Sequence, residues 1–256
     1  MILTKIEHIE TAENILKSAY YLAEKLDKTF GAVCFVADSA LIDSKKSEIT
    51  SLLEKLQLPA ENIFAVSEKE ITLGELCERK EASFLLLQLP DDSRKSVQKG
   101  LNACRELRIP YLFFKNDFQE LHLKKVLTAV GFLVEEYEKA QFASAFGRFC
   151  DAEITLLQAN DYGSKAATTV EKMIALFDKF SLKYLVEKAQ KDSFKVDKEA
   201  AAKAEKENFD LLIISASREY GLDDVIFGPT ELHIIRKSSI PLLVVNPRDD
   251  LYTLCD

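Results

Sequence analysis

The sequence predicts an α/β protein made of two doubly wound, five-stranded parallel sheets, each with helices on both faces. Three observations carry this. Short apolar, β-rich runs alternate with helix-period segments along all 256 residues, and strict alternation implies parallel strands joined by right-handed crossovers. The opening run I-L-T-K-I at residues 2–6 returns as V-L-T-A-V at residues 126–130. Each half also closes on an Ile-Pro step into a last apolar run, R-I-P-Y-L-F-F at 108–114 and S-I-P-L-L-V-V at 239–245. The two halves therefore read as copies of one unit, an internal duplication.

Taken in order, the first half places strands at residues 2–6, 32–37, 62–66, 84–89 and 110–114, with helical patterns between them. The first helix, over 11–26, opens on Thr11 as a capping residue. It sets Ala12, Ile15, Leu16, Ala19, Leu22, Ala23 and Leu26 on one stripe, the pattern of a helix covering a sheet. The second half places strands near 125–130, 153–158, 183–186, 211–214 and 242–245, with helices starting near Glu135, Ser164, Asp197 and Pro229. The charge-rich stretch V-D-K-E-A-A-A-K-A-E-K-E-N at 196–208 reads as a solvated helix face with i,i+4 pairs such as Glu199 with Lys203. The polar stretch K-N-D-F-Q-E-L-H-L-K at 115–124 is the expected connection. Domains are thus expected over 1–118 and 122–248, followed by a tail at 249–256.

Composition narrows the class. An apolar fraction of 47% with 30% charged residues is that of a globular chain. The net charge of −8, with both signs interspersed, supplies no broad positive field for a phosphate backbone, so nucleic acid is not expected as a partner. No stretch approaches the apolar length that crosses a bilayer, and the N-terminus M-I-L-T-K-I-E-H-I-E lacks the basic start and apolar core of a signal peptide. A cytoplasmic protein without membrane contact is the expectation. The five cysteines, Cys34, Cys77, Cys104, Cys150 and Cys255, are scattered without a C-x-x-C. They read as buried reduced thiols, with Cys255 alone accessible.

In an open α/β sheet the ligand crevice lies beyond the carboxyl ends of the strands, where strand order reverses. Taking strands one and four of each half as that point selects Gly131 and Ser215 to Arg218 in the second half, under the helix start Gly228-Pro229-Thr230. In the first half it selects Glu7 and the loop from Leu89 to Ser93, which includes Asp91. No H-x3-H or G-x-S-x-G occurs, so neither a metal site nor a catalytic group is expected. His233 reads as a surface or packed side chain, His122 sits in the expected connection, and His8 lies beside the first-half crevice with Glu7.

The double βα pattern, the closing run I-P-L-L-V-V and the element G-L-D-D-V-I-F-G-P-T-E-L-H-I-I resemble a tandem universal stress protein. That resemblance implies the adenine nucleotide alpha hydrolase-like fold, the two halves arranged as a pseudo-dimer, and a role in stress-response regulation. In the nucleotide-binding branch of the family the loop reads G-x2-G-x9-G-[ST], and an aspartate ends the first strand. Against that pattern Ser215 and Arg218 stand at the first two glycine positions, Gly228 fills the third, Pro229 precedes Thr230, and Gly131 replaces the aspartate. In the first half Glu7 holds the aspartate position, but the glycine loop is missing.

The ligand-binding candidates are therefore Gly131, Ser215, Ser217, Arg218, Gly228 and Thr230, with Glu7 and Asp91 in the first half, in a degenerate nucleotide crevice. Arg218 either recognises an anion or pairs with Glu219, Asp223 or Asp224. No cofactor is expected. The alternatives are ATP or another nucleotide, held by a switch protein with weak hydrolysis, and another small anionic ligand. Expected partners are the chain itself, as internal pseudo-dimer and as homodimer, and a regulatory protein or small molecule.

Overall fold

The computed structural model describes residues 1–217 and 228–248. The chain divides into two units, one over Met1–His122 and one from Leu123 onward.

The first unit holds β1 (Ile2–Ile6), β2 (Phe30–Val36), β3 (Ile63–Ser67), β4 (Phe84–Leu89) and β5 (Tyr111–Lys115), in the spatial order β3-β2-β1-β4-β5. Its helices are α1 (Glu13–Lys25), α2 (Ile42–Lys55), α3 (Leu73–Arg79) and α4 (Arg94–Cys104). The second unit repeats the plan with β6 (Lys125–Val130), β7 (Glu153–Gln158), β8 (Tyr184–Lys188), β9 (Leu211–Ser215) and β10 (Leu242–Val245), in the order β8-β7-β6-β9-β10. Among the described residues its helices are α5 (Lys139–Cys150), α6 (Lys165–Lys179), α7 (Val196–Lys206) and α8 (Thr230–Lys237).

These strand pairs are parallel. A parallel sheet covered on both faces needs near-continuous apolar strands rather than alternating ones. The central strands obey this: every residue of β4 is buried, and β1 buries all but Lys5. The outer strand β8 does not, and exposes Leu185 and Val186.

Helix α1 buries Ile15, Leu16, Ala19, Leu22 and Ala23 on the stripe read from the sequence. Its start differs. A 3-10 turn, Ile9–Thr11, precedes it, and α1 begins at Glu13 with no side-chain cap. Thr11 instead accepts a hydrogen bond from the Gln88 amide at 3.0 Å, so a long-range contact overrides the local capping preference. The expected Glu199–Lys203 pair is also replaced. Lys203 binds Glu207 at 2.7 Å and Glu187 at 2.8 Å, while Glu199 accepts the backbone N–H groups of Gln190 and Lys191, both at 2.8 Å.

Six helices end on a residue in the left-handed region, and none of the six is glycine. Asp27, Gln57, Glu81, Asp151, Ser181 and Asn208 have φ between 49° and 58°. After five of them the next amide returns to a carbonyl in the last turn, as with Leu58 N to Leu53 O at 2.9 Å and Phe209 N to Ala204 O at 2.9 Å. Such a bond satisfies a carbonyl that the helix end leaves open.

Cys34, Cys77 and Cys104 are buried, and burial raises all three thiols, Cys77 to about 12. Cys150 corrects the expectation, because it is half-buried rather than enclosed; Cys255 lies outside the described residues. No described helix is long and apolar enough to cross a membrane.

Candidate functional site

Strand order reverses between β1 and β4 in the first unit and between β6 and β9 in the second, as the sequence reading assumed. Register makes the two places comparable. Ile2 lies opposite Phe84 and Val126 opposite Leu211, so Gln88 and Ser215 occupy matching positions, as do Glu7 and Gly131.

In the second unit a crevice of about 590 Å³ opens at this point. Gly131, Ser215, Ser217 and Thr230 line it together, with Phe132, Glu136, Ser193, Phe194, Asp197 and Glu231. Gly228 adjoins it, at the residue before the helix cap. Its φ of +87° is one that side chains rarely adopt, which accounts for the glycine without a ligand. Pro229 is the cap of α8 rather than its first helical residue, with φ −66° and ψ 163°. Arg218 lies outside the described residues, together with Glu219, Asp223 and Asp224.

Four donors around the crevice are engaged within the chain. Glu136, on the 3-10 turn Val134–Glu138, accepts the Gly131 N–H at 2.7 Å and the Ser215 hydroxyl at 2.9 Å. Its partner is Lys139, wholly buried, whose ammonium lies 2.7 Å from Glu136 and also donates to the Ala129 carbonyl. Glu231, in the first turn of α8, accepts both the Ser217 N–H at 3.1 Å and the Ser217 hydroxyl at 2.8 Å. Two side-chain carboxylates thus sit in the crevice wall against Gly131 and Ser217. Both are buried.

Asp197 stands apart from them. It lies in the first turn of α7, one residue after the helix begins, and lines the same crevice. Burial pushes its carboxyl up to about 7; the Lys139 ammonium opposes this, and Glu136 and Glu231 add to it. Asp161 closes the adjoining wall by accepting from Ser193, the N–H at 2.9 Å and the hydroxyl as well. Ser193 in turn crowds Gly131: a β-carbon there would come within 3.1 Å of its hydroxyl. An aspartate at position 131 would need Ser193 to move.

The first unit solves the same place differently. The buried Gln88 accepts the N–H groups of Glu7 and His8 at 2.8 and 2.9 Å, and its amide donates to the His8 carbonyl, Thr11 and Asn116. Glu7 lines a smaller crevice of about 210 Å³ and is ion-paired to Lys5. Asp91 turns away to the helix start, accepting the Ser93 N–H at 2.7 Å, and these serine contacts lower its pKa. The eight candidates therefore do not form one site. Four share the second-unit crevice, Gly228 borders it, Glu7 and Asp91 belong to the first unit, and Arg218 is undescribed.

Sequence reasoning missed Glu136, Lys139, Asp197, Glu231 and Gln88. The run V-E-E-Y-E-K reads only as the start of a helix near Glu135, whereas Glu135, Glu136, Glu138 and Lys139 are all buried. The available signal was the clustering of five charged or polar residues directly after a central strand, at the place where a site would be expected.

Residues 122–246 match the model of the universal stress protein family. The match covers the second unit, which is therefore a universal stress protein domain; the first unit has a similar fold without such a match. A universal stress protein from Archaeoglobus fulgidus DSM 4304 is similar in structure over 97% of both chains, with a TM-score of 0.69 at 17% identity. A protein of Pseudomonas aeruginosa UCBPP-PA14, provisionally named a universal stress protein, aligns over 97% of this chain and 93% of its own (TM-score 0.66, 14% identity). A protein of unknown function from Pseudomonas aeruginosa PAO1 aligns over 97% and 92% (TM-score 0.60, 12% identity). At these identities the likeness is one of fold, and the fold is that of two consecutive universal stress protein-like units. No curated protein matches the sequence.

Proposed function

We propose that the protein is a non-catalytic binding or regulatory protein of the universal stress type, in which the second-unit crevice has ceased to be an ATP site. One observation carries the reading: Glu136 and Glu231 already accept the Gly131 N–H, the Ser215 hydroxyl and both Ser217 donors. A triphosphate entering there would meet two buried carboxylates, and to bind it would have to displace their hydrogen bonds. At about 1–2 kcal/mol for each bond lost, a micromolar site falls to millimolar or weaker. The same charges act against any other small anion.

The test is calorimetric titration of ATP with magnesium into the full chain, into Glu231→Gln and into Arg218→Gly. Wild type is expected to give no binding tighter than millimolar. A low-micromolar dissociation constant for wild type overturns the reading. Binding that appears only in Glu231→Gln supports it directly, because that change removes the competing charge and preserves the side-chain shape. Binding that appears only in Arg218→Gly assigns the blockage to the arginine instead.

A further inference from the structure

We propose that the open edge of β8 docks an acidic, extended segment of a partner protein, which joins the sheet of the second unit as a further strand and lays its carboxylates against the lysines of α7. The proposal is independent of what the crevice binds.

The first observation is the edge. β8 is the outer strand of its unit and pairs with β7 alone among the described residues. Lys183 accepts the Ile154 N–H at 3.1 Å and Ala189 donates to the Gln158 carbonyl at 2.7 Å, so alternate residues from Lys183 to Ala189 turn their backbone groups toward β7. The residues between them, Tyr184, Val186 and Lys188, direct N–H and C=O to the other side, as an edge strand does. The side chains are bare as well: Leu185 is 51% exposed and Val186 43%. The first unit closes the matching place. Its outer strand β3 keeps Phe64, Ala65 and Val66 half-buried, and the Lys80 ammonium lies over the Phe64 ring, 4.2 Å from the centroid.

The second observation is the charge beside that edge. A groove of about 630 Å³ lies at the carboxyl end of β8, between the strand and α7. Lys188, Lys191, Lys195, Lys198 and Lys206 line it, all exposed and without an ion-pair partner among the described residues. The carboxylates of the same groove are committed within the chain. Glu187 and Glu207 hold Lys203, and Glu199 accepts the N–H groups of Gln190 and Lys191. A positive excess thus gathers in one groove of a chain whose net charge is −8, and an acidic partner complements it.

The third observation sets the pattern of the partner. Leu157 and Glu187 are opposite in register and both line the groove, so the lysines stand over that face of the sheet, while Val186 lies on the other face. A strand added beside β8 therefore meets lysines on one face and Val186 on the other, and a segment that alternates acidic and apolar residues satisfies both. Strand addition draws its affinity from main-chain hydrogen bonds. A nucleic acid offers no such ladder, and the overall charge of the chain repels it.

The probe is the peptide Glu-Val-Glu-Val-Glu-Val-Glu, titrated into the full chain by fluorescence anisotropy and NMR. It is expected to bind, and to weaken at least about tenfold as salt rises from about 50 to about 300 mM. Combining Lys191→Glu, Lys195→Glu and Lys198→Glu, all at exposed positions, should weaken it at least about tenfold. Val186→Pro removes an outward N–H and no bond to β7, and should weaken it severalfold. The same peptide N-methylated at every amide should not bind, and it decides the question on wild type if Val186→Pro does not fold. Equal binding of Lys-Val-Lys-Val-Lys-Val-Lys, of oligothymidylate or of the N-methylated peptide overturns the proposal. So does unchanged binding to the triple lysine variant, or no binding at millimolar peptide. A dimer of the chain that Val186→Pro dissociates makes a second copy the occupant, and overturns it too.

Discussion

Lys139 shows how much rests on single side chains around the crevice. It is wholly buried, and its ammonium has Glu136 and the Ala129 carbonyl as partners. Removing one member of a buried pair strands the other charge at a cost of about 3–5 kcal/mol. Lys139→Met should therefore lower the urea midpoint sharply, and adding Glu136→Gln should restore much of the loss; an unaffected single variant would show that the pair contributes little. At this scale the sequence was legible where a residue type excludes a role. Glycine at 131 cannot supply an acid, and Pro229 cannot donate an amide. It was illegible where a side chain reaches back across the fold. Nothing in P-T-E-L-H says that Glu231 folds onto Ser217, or that the carboxylates of V-E-E-Y-E-K turn inward, because both depend on partners brought together by the sheet.

Among the elements, strands were read well. The helix starts read at Ser164, Asp197 and Pro229 fall within one residue of α6, α7 and α8, whereas the starts read at Thr11 and Glu135 lie in 3-10 turns. Buried parallel strands are continuous apolar runs, so residues 2–6, 84–89, 125–130, 153–158 and 242–245 match β1, β4, β6, β7 and β10 as read. Helix ends usually announce themselves by glycine, and here six of them use Asp, Gln, Glu, Ser or Asn. The chain accepts left-handed strain that glycine would relieve, at up to about 1–2 kcal/mol for each position. Gln57, exposed after α2 with φ 58°, offers a clean test. Gln57→Gly should raise stability by about 0.5–1 kcal/mol after the greater freedom of the unfolded chain is allowed for. Equilibrium urea unfolding measures this, and a lower midpoint would mean that the glutamine side chain does more than occupy the turn.

At the scale of the whole molecule, the duplication visible in the two Ile-Pro closings became two units of matching strand order. Only the second matches the family model. The first has a similar fold but places Gln88 and Glu7 at its switch point where the second places Ser215 and Gly131. Each unit ends its own sheet on an apolar strand, β5 or β10, and an apolar edge invites pairing. We propose on this ground the internal pseudo-dimer and a further homodimer. Residues 120–256 expressed alone should appear as a dimer or an insoluble product by light scattering, and a well-behaved monomer would count against the proposal. For the intact chain, a mass fixed near 28.9 kDa at all concentrations would end the homodimer. The carboxylates lodged against Gly131 and Ser217 have a consequence for signalling. On the proposed reading, donors committed to the chain's own glutamates would leave this crevice without a channel to the cell's phosphorylation potential.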